Sequence, residues 1–273
     1  MGMGTVLLQG LKKERTAMAE SFPSINVAGD RVDPKSCVAE GTAFFFYLAA
    51  TVSALGLIAG VIASKGILLV FILIGALGTW LMRKRALAMI HGSGLKVSAT
   101  QLPEIDECVR NFSERLGITA PVDVYVVEQS VMNAAVVRYG RKNVILLTDD
   151  LIHGCLRSGV PMALAYVIGH ELGHVALKHN DIVRSWIRQN IKKLGRLDEY
   201  SCDCVALRLV GDRNIALCGL LLLTVGHSVM PYVDADSLVT QANEVAANKY
   251  TKKAERAMTH PLLLNRIHRI LNH

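Results

Sequence analysis

Two long runs of apolar residues near the N-terminus are the strongest pattern in the sequence. They cover residues 43–63 and 66–82, contain no charged side chain, and are separated by Ser64 and Lys65. Helices of these lengths, rising about 1.5 Å per residue, reach or approach the roughly 30 Å thickness of a hydrocarbon core. The pattern predicts a transmembrane helical hairpin over residues 42–82. One buried core hairpin is the alternative, and a signal peptide is not expected because a polar stretch precedes the first run.

The spacing of apolar residues changes after the hairpin. Positions 105, 108, 109, 112 and 116 are apolar at helical spacing, and Gly117 follows as a stop. The segments "VDVYVVE", "NAAVVRY" and "VILLT" then have the alternation or the short apolar runs that are typical of strands, with "GRKN" as a turn. Several helices follow, one of which has Pro161 in its first turn. The fold predicted is mostly α with a small β-sheet, an α+β class.

Two later helices are predicted from "DIVRSWIRQNIKKL" and "RLDEYSCDCVALRLV", with a break at Gly195. The apolar segment 214–230 is long enough for a third span, but it ends at Pro231 and contains His227, which favours a buried helix. Residues 1–41 are polar, and the sequence predicts a short amphipathic helix near their start. The predicted organisation is therefore residues 1–41, a hairpin at 42–82, and a second domain at 83–273.

Charge and composition restrict the class of protein. The chain has 51% hydrophobic residues, a net charge of +7 and six cysteines. Because Arg83, Lys84 and Arg85 follow the second run and only Lys65 lies in the loop, the positive-inside rule places both ends of the hairpin in the cytoplasm. The other basic residues are dispersed, so we expect contact with a lipid bilayer and not with nucleic acid. The cysteines have no spaced framework, and we expect them to be reduced.

The segment "VIGHELGHVALKHN" contains the residues with the clearest chemistry. His170 and His174 are four positions apart, so on a helix both imidazoles project from one face. This geometry suits two corners of a zinc tetrahedron, and Glu171 lies between them where it would reach a water on the metal. A histidine pair satisfied inside the core is the alternative interpretation.

A catalytic zinc site needs a third protein ligand. The class that takes a third histidine from an extended motif requires histidine at position 180, where this chain has Asn180. We therefore expect a glutamate from a later helix, and Glu199 is the candidate. Asp203 is one helical turn further and would accept a hydrogen bond from the outer nitrogen of a ligand histidine. The rival ligands are residues 179, 198 and 202.

These motifs resemble those of one known family. "HELGHVALKH", then "RLDEYSCD" and "THPLLLNR", resemble the membrane-anchored zinc peptidases of metallopeptidase family forty-eight, the gluzincins of the HtpX, Oma and Ste-type CAAX prenyl protease group. The resemblance runs from about residue 103 to the C-terminus. It implies a zincin-type domain that binds one zinc ion per subunit through His170, His174 and Glu199, with Asp203 as the outer partner. It also matches the family's His-Pro motif to His260 and Pro261.

The resemblance implies an activity, a substrate and a location. We expect a zinc metalloendopeptidase in which Glu171 is the general base and His260 is an oxyanion donor or a structural contact. Protein or peptide substrates would add as a strand near Asn133 and Ala134. We expect an integral membrane protein, in the inner membrane if the source is bacterial, with a role in membrane protein quality control. A catalytically silent membrane adaptor that retains the peptidase fold is the alternative.

The chain departs from the family in one respect. Members of the HtpX type have two further spans between the zinc histidines and the zinc glutamate. The short, basic segment between His174 and Glu199 has no room for them. The motifs thus predict the peptidase site, and they do not extend to HtpX-like topology.

Overall fold

The computed structural model describes residues 22–128, 133–139 and 142–272. In it, helices predominate and a small mixed sheet lies near the centre of the chain, as the sequence predicts. The amphipathic helix expected near the start of the chain and the centre of the "GRKN" turn lie outside the described residues. The helices are α1 Thr42–Ala63, α2 Ile67–Ser93, α3 Pro103–Arg115, α4 Asp149–Arg157, α5 Met162–Ala176, α6 Ile182–Asn190, α7 Lys192–Val210, α8 Arg213–Val229, α9 Ala235–Ala247, α10 Lys249–Glu255 and α11 Leu263–Leu271.

Helices α1 and α2 form the hairpin expected from the apolar runs. The side chains along both helices are mostly exposed, and both helices are long and apolar enough to cross a membrane. Helix α2 continues past the apolar run to Ser93. A third helix, over Arg213–Tyr232, also meets the length and composition of a span, but it buries Leu220 and Leu222 against the rest of the protein. The buried position of this helix therefore stays a prediction.

The sheet has four strands in the order β1-β2-β4-β3. The strands are β1 Leu95–Lys96, β2 Val122–Val127, β3 Ala134–Tyr139 and β4 Lys142–Thr148. Strand β4 runs parallel to β2 and antiparallel to β3, which places β3 at one edge. The hydroxyl of Thr148 ends the sheet and begins α4, because it accepts a hydrogen bond from the Leu151 backbone N–H. The three longer strands were all expected from the sequence.

Helix α5 lies in the middle of the core. It is buried along almost its whole length, from Ala163 to Val175, and packs against α7, α8, α3 and strand β3. Part of the N-terminal segment also belongs to this core. Ile25 is fully buried, and the backbone N–H of Ala39 donates to the Ser201 hydroxyl of α7 at 2.9 Å. Residues 22–41 therefore pack on the second domain before the chain enters α1.

Helices α5 and α7 approach each other closely because two glycines face the crossing. A Cβ atom on Gly173 would lie 3.2 Å from Cα of Cys202, and one on Gly169 would lie 3.3 Å from Cα of Ala206. Since these distances are shorter than ordinary carbon contacts, larger side chains here would force the helices apart. The crossing brings Glu199, one turn before Cys202, onto the histidines of α5.

The break predicted at Gly195 is wrong. The two helices separate at Ile191, whose backbone leaves the helical region, and Gly195 lies inside α7. Its role is close packing, since a Cβ atom on Gly195 would lie 2.7 Å from the Thr259 carbonyl oxygen. The missing side chain lets the segment that carries His260 lie against α7. A glycine needed for such contact has the same sequence signal as one that ends a helix.

The close crossing predicts the effect of enlarging Gly173. Gly173→Val should lower the free energy of unfolding by about 1–3 kcal/mol, because the added methyl groups overlap the α7 backbone. Gly92→Val is the matched control, since a Cβ atom at this helical position meets nothing within 4 Å. Thermal unfolding of both variants in detergent measures the difference. Equal loss of stability in the two variants would contradict the close crossing.

Candidate metal centre

Three buried side chains from α5 and α7 converge at one point. Nε2 of His170 lies 3.3 Å from Oε2 of Glu199, and Nε2 of His174 lies 3.5 Å from Oε1 of the same carboxylate. One ligand atom of each residue lies within 4.8 Å of the other two. Two imidazole nitrogens and a carboxylate oxygen form the donor set of a catalytic zinc site with an open fourth position. The residues therefore fit a zinc ion.

The pKa values of this group depend on both burial and hydrogen bonds, which act in opposite directions. Burial alone would raise the pKa of Glu199, but its hydrogen bonds to His170 and His260 hold that pKa well below its usual range. Burial alone would lower the pKa of His170, but hydrogen bonds to Asp203 and Glu199 outweigh it and raise the pKa to about 9. A pKa of about 9 favours the protonated form of this imidazole near neutral pH. A zinc ion would have to displace this proton.

The outer nitrogen of His170 is held by a carboxylate. Nδ1 of His170 lies 2.9 Å from Oδ1 of Asp203, so the inner Nε2 faces Glu199. Asp203 is itself fixed, because Arg266 donates to both of its oxygens at 2.8 and 2.6 Å and the Tyr166 hydroxyl donates to Oδ1 at 2.9 Å. Burial acts to raise the pKa of Asp203, but the Arg266 guanidinium outweighs burial, lowers the pKa and keeps the carboxyl ionised. The structure thus places Asp203 against the outer nitrogen of His170, and its role in orienting a zinc ligand stays a prediction.

The outer nitrogen of His174 contacts a second histidine. Nδ1 of His174 lies 3.1 Å from Nδ1 of His179, and Nε2 of His179 lies 3.3 Å from Oδ1 of Asp198. Burial lowers the pKa of His179 well below its usual value, so its ring is neutral. Its single proton therefore lies on Nε2, which donates a hydrogen bond to Asp198. This leaves Nδ1 to accept a hydrogen bond from His174. Asp198 is ion-paired to Arg184 on α6.

The three rival ligands belong to the contacts on the outer side of His174. His179, His174 and Cys202 also bring three donor atoms within 4.8 Å, with Sγ of Cys202 3.4 Å from Nδ1 of His179. However, His179 and Cys202 do not line the cleft, whereas His170, His174 and Glu199 all do. A catalytic metal needs a position open to substrate, which favours the second group. Asp198 points to Arg184 and His179 and away from the His170 group.

Glu171 faces a cleft beside the three convergent side chains. The cleft has a volume of about 340 Å³, and its walls include Glu171, the histidine pair and Glu199. Burial raises the pKa of Glu171 to about 7, and the nearby Glu199 carboxylate acts in the same direction while His170 opposes it. A carboxyl group with a pKa near neutrality is suited to accept and return a proton.

Strand β3 forms the opposite wall of the cleft. The lining residues there run from Asn133 to Val136. The side-chain oxygen of Asn133 accepts from the backbone N–H of Ala134 at 2.9 Å, so this N–H points away from β4. Because the backbone groups of an antiparallel strand alternate in direction, the N–H and C=O groups of Val136 also point away from β4. The edge segment expected from the sequence thus lines the cleft.

Two cationic or protonatable groups lie at the rim. Nδ1 of His260 lies 3.3 Å from Oε1 of Glu199, and the side chain is 63% exposed. Nη1 of Arg188 on α6 lies 3.7 Å from the same oxygen. Both residues line the cleft. His260 was expected at the site from its motif, whereas Arg188 was not.

A buried His-Glu-x-x-His helix joined by a glutamate from a later helix is the arrangement of a metalloprotease. The model of peptidase family M48 matches residues 99–193, which supports family M48 as expected from the motifs but does not distinguish its subgroups. Peptidases of this family are zinc metalloproteases. The match covers strands β2 to β4 and the HELGH helix, and it ends before Glu199 and the residues that follow it. No curated protein and no solved structure matches the chain.

The roles of three contributors to the site were not predicted from the sequence. Tyr166 reads as an ordinary core aromatic, Arg188 as one of several dispersed basic residues, and His179 as a rival ligand. Tyr166 is one helical turn before His170, so its position on the same face was a usable signal. The direction of Arg188 depends on how α6 packs, and no local pattern reports this.

The contact between His174 and His179 predicts a loss of zinc affinity when it is removed. His179→Ala should lower zinc affinity about 10–100-fold, because the outer hydrogen bond that orients His174 is lost. His153→Ala, at an exposed position on α4, is the matched control. Competition against a chelator measures both affinities. Unchanged affinity in His179→Ala would show that the histidine does not orient the ligand.

Proposed function

We propose that the protein is a membrane-anchored zinc endopeptidase that hydrolyses peptide bonds of protein substrates. The observation that carries the proposal is the convergence of His170, His174 and Glu199 beside a cleft that also contains Glu171. The family match supports the metalloprotease class, and the long apolar helices support association with a membrane. A role in membrane protein quality control fits both features.

In this proposal His170, His174 and Glu199 hold one zinc ion per subunit. Zinc bound there would polarise a substrate carbonyl and lower the pKa of a water molecule from 15.7 towards about 7. The chain's own contribution is to keep the ligands in place, since His170 is oriented by Asp203 and His174 by His179. Both orienting groups are buried and are held by further contacts that end at arginines, so the ligand rings have little freedom to turn.

Glu171 is the proposed general base. It would take the proton of the attacking water and then give it to the amine that leaves when the peptide bond breaks. The carboxylate lies within the cleft and next in sequence to His170, which places it near any water at the convergent ligands. Its pKa of about 7 allows both steps near neutral pH.

His260 is the proposed donor to the developing oxyanion. Its ring lies at the rim of the cleft, and the Thr259 carbonyl that precedes it is packed on Gly195 of α7. This packing limits the movement of the segment and keeps the imidazole close to Glu199. Preorganised donors of this kind contribute strongly to acyl-transfer catalysis because they need no rearrangement during the reaction. Arg188 lies beside Glu199 and would add positive charge at the same rim.

Substrate would bind as an added strand along β3. The edge from Asn133 to Val136 offers backbone groups that point away from β4, and it faces the convergent ligands across the cleft. An extended peptide in this position would satisfy its own backbone hydrogen bonds while its alternate side chains enter pockets. Such binding depends on the backbone more than on particular side chains, which suits a protease with many substrates.

Substitution of Glu171 tests the proposed chemistry. Glu171→Gln should abolish cleavage of unfolded casein while zinc content stays at one ion per subunit, because the amide fills the same space but cannot accept a proton. Peptide release and bound metal are measured on the same purified samples of the variant and the unaltered protein. If both proteins are loaded with zinc and are equally active or equally inert, the proposal is overturned and a silent adaptor is favoured.

Substitution of Glu199 tests the ligand assignment. Glu199→Ala should lose zinc, because only two of the three proposed protein ligands remain. Glu244→Ala, at an exposed position on α9, is the matched control and should keep its zinc. Metal analysis after dialysis measures the difference. Stoichiometric zinc in Glu199→Ala would assign the third ligand to another residue.

Backbone methylation of a peptide substrate tests the strand-addition mode. N-methylation at successive positions should lower kcat/KM about two- to ten-fold at alternate positions, because each lost hydrogen bond contributes about 0.5–1.5 kcal/mol. The alternation follows from the two-residue period of a strand. Cleavage assays on a series of singly methylated peptides measure the effect. A uniform response along the peptide would contradict binding along β3.

A further inference from the structure

Helix α6 exposes three apolar side chains on its outer face, while its two arginines face inward. Ile182, Val183 and Trp186 are 68%, 64% and 55% exposed. By contrast, the Arg184 side chain is only 16% exposed and pairs with the buried Asp198, and Arg188 is 27% exposed and faces Glu199. A helix that borders water has the opposite arrangement, because exposed apolar surface is unfavourable there.

The position of α6 relative to α1 indicates what covers this apolar face. Ile187 of α6 is buried in a small cluster with Ala49 of α1 and Leu194 of α7, and Phe46 packs against it. Ala49 lies seven residues after the start of α1, which is about 10 Å along the helix axis. If α1 spans the bilayer, a helix that contacts it at this depth lies at or below the headgroup layer, since α1 is about as long as the hydrocarbon core is thick.

The surroundings of this contact have the composition of a membrane interface. The Lys193 ammonium lies 4.0 Å from the ring centroid of Phe45, and the Arg184 guanidinium lies 5.2 Å from that of Phe46. Aromatic rings and long basic side chains accumulate at this level of a bilayer. The outward face of α6 ends in Gln189 and Asn190, which are exposed amides that suit the headgroup layer.

We propose that α6 is an interfacial helix whose face of Ile182, Val183 and Trp186 inserts into the lipid bilayer beside α1. The occupant of this face is the boundary between headgroups and acyl chains, and it is continuous with the lipid around the hairpin. Because Arg188 on the opposite side of α6 lines the cleft, the insertion holds the mouth of the cleft at the membrane surface. The inference rests on the proposed span of α1 and does not depend on peptidase activity.

The two tryptophans of the chain allow a direct test by fluorescence. Trp80→Phe leaves Trp186 as the only tryptophan. Trp80→Tyr is made in parallel as a second replacement, and both variants keep a ring beneath Lys84. The protein is reconstituted into phosphatidylcholine vesicles with acyl chains brominated close to the headgroups. We expect Trp186 fluorescence to fall about two-fold or more relative to unbrominated vesicles, and aqueous iodide to quench it weakly, as for a residue inserted at the interface.

Two matched variants separate the outcomes. With both tryptophans replaced by phenylalanine, Tyr250→Trp places a single tryptophan at an 84% exposed site on α10, and iodide should quench it strongly. Trp186→Phe leaves Trp80 in the second apolar run, where bromine quenching reports the hairpin itself. Quenching of Trp80 without quenching of Trp186 would overturn the interfacial helix and keep the membrane anchor.

The remaining results are also decisive. Iodide quenching of Trp186 equal to that of Tyr250→Trp would show that α6 faces water, which overturns the inference. Protection from both quenchers would show that protein covers the face, and this also overturns it. Loss of bromine quenching at both tryptophans would overturn the membrane span on which the inference rests, while zinc content and cleavage would still test the peptidase separately.

Discussion

The crossing of α5 and α7 is the constraint on which the rest of the site depends. Helices normally pack with their axes 8–10 Å apart, and side chains at the contact set that distance. Here Gly169 and Gly173 remove two side chains from the contact, so the backbone of α7 lies directly against α5. At this distance the Glu199 carboxylate reaches both histidines. The glycine inside the HELGH motif therefore contributes to the site by allowing the close crossing.

Close packing of this kind also concentrates charge in the core, and the structure balances that charge in two chains of contacts. One runs from His170 through Asp203 to Arg266, and the other runs from His174 through His179 and Asp198 to Arg184. Unpaired buried charges would cost several kcal/mol each. Each chain ends at an arginine, and the outer nitrogens of the two histidines contact different kinds of group, a carboxylate and a neutral imidazole. The two rings thus share Glu199 on the inner side and have separate partners on the outer side.

The sequence predicts those parts of the site that follow from local periodicity. The spacing of His170, Glu171 and His174 defines one face of one helix, and the interval from Glu199 to Asp203 does the same on another. In the structure the face of α5 and the face of α7 meet, and both lie beside the edge of β3. The break expected at Gly195 was wrong because a glycine that permits close packing cannot be distinguished from one that ends a helix. The packing of Ile25 and the direction of Arg188 depend on long-range contacts, which leave no periodic signal.

The short connection between the two ligand helices links the position of the site to that of the hairpin. Helix α6 occupies most of this connection, and its two sides have different partners. One side supplies Arg188 to the cleft and Arg184 to the contacts behind His174, while the buried Ile187 touches α1. Helix α6 therefore contacts both α7 and α1. Because the segment between α5 and α7 is short, it has no room for further spans, and it keeps the rim of the cleft next to the hairpin.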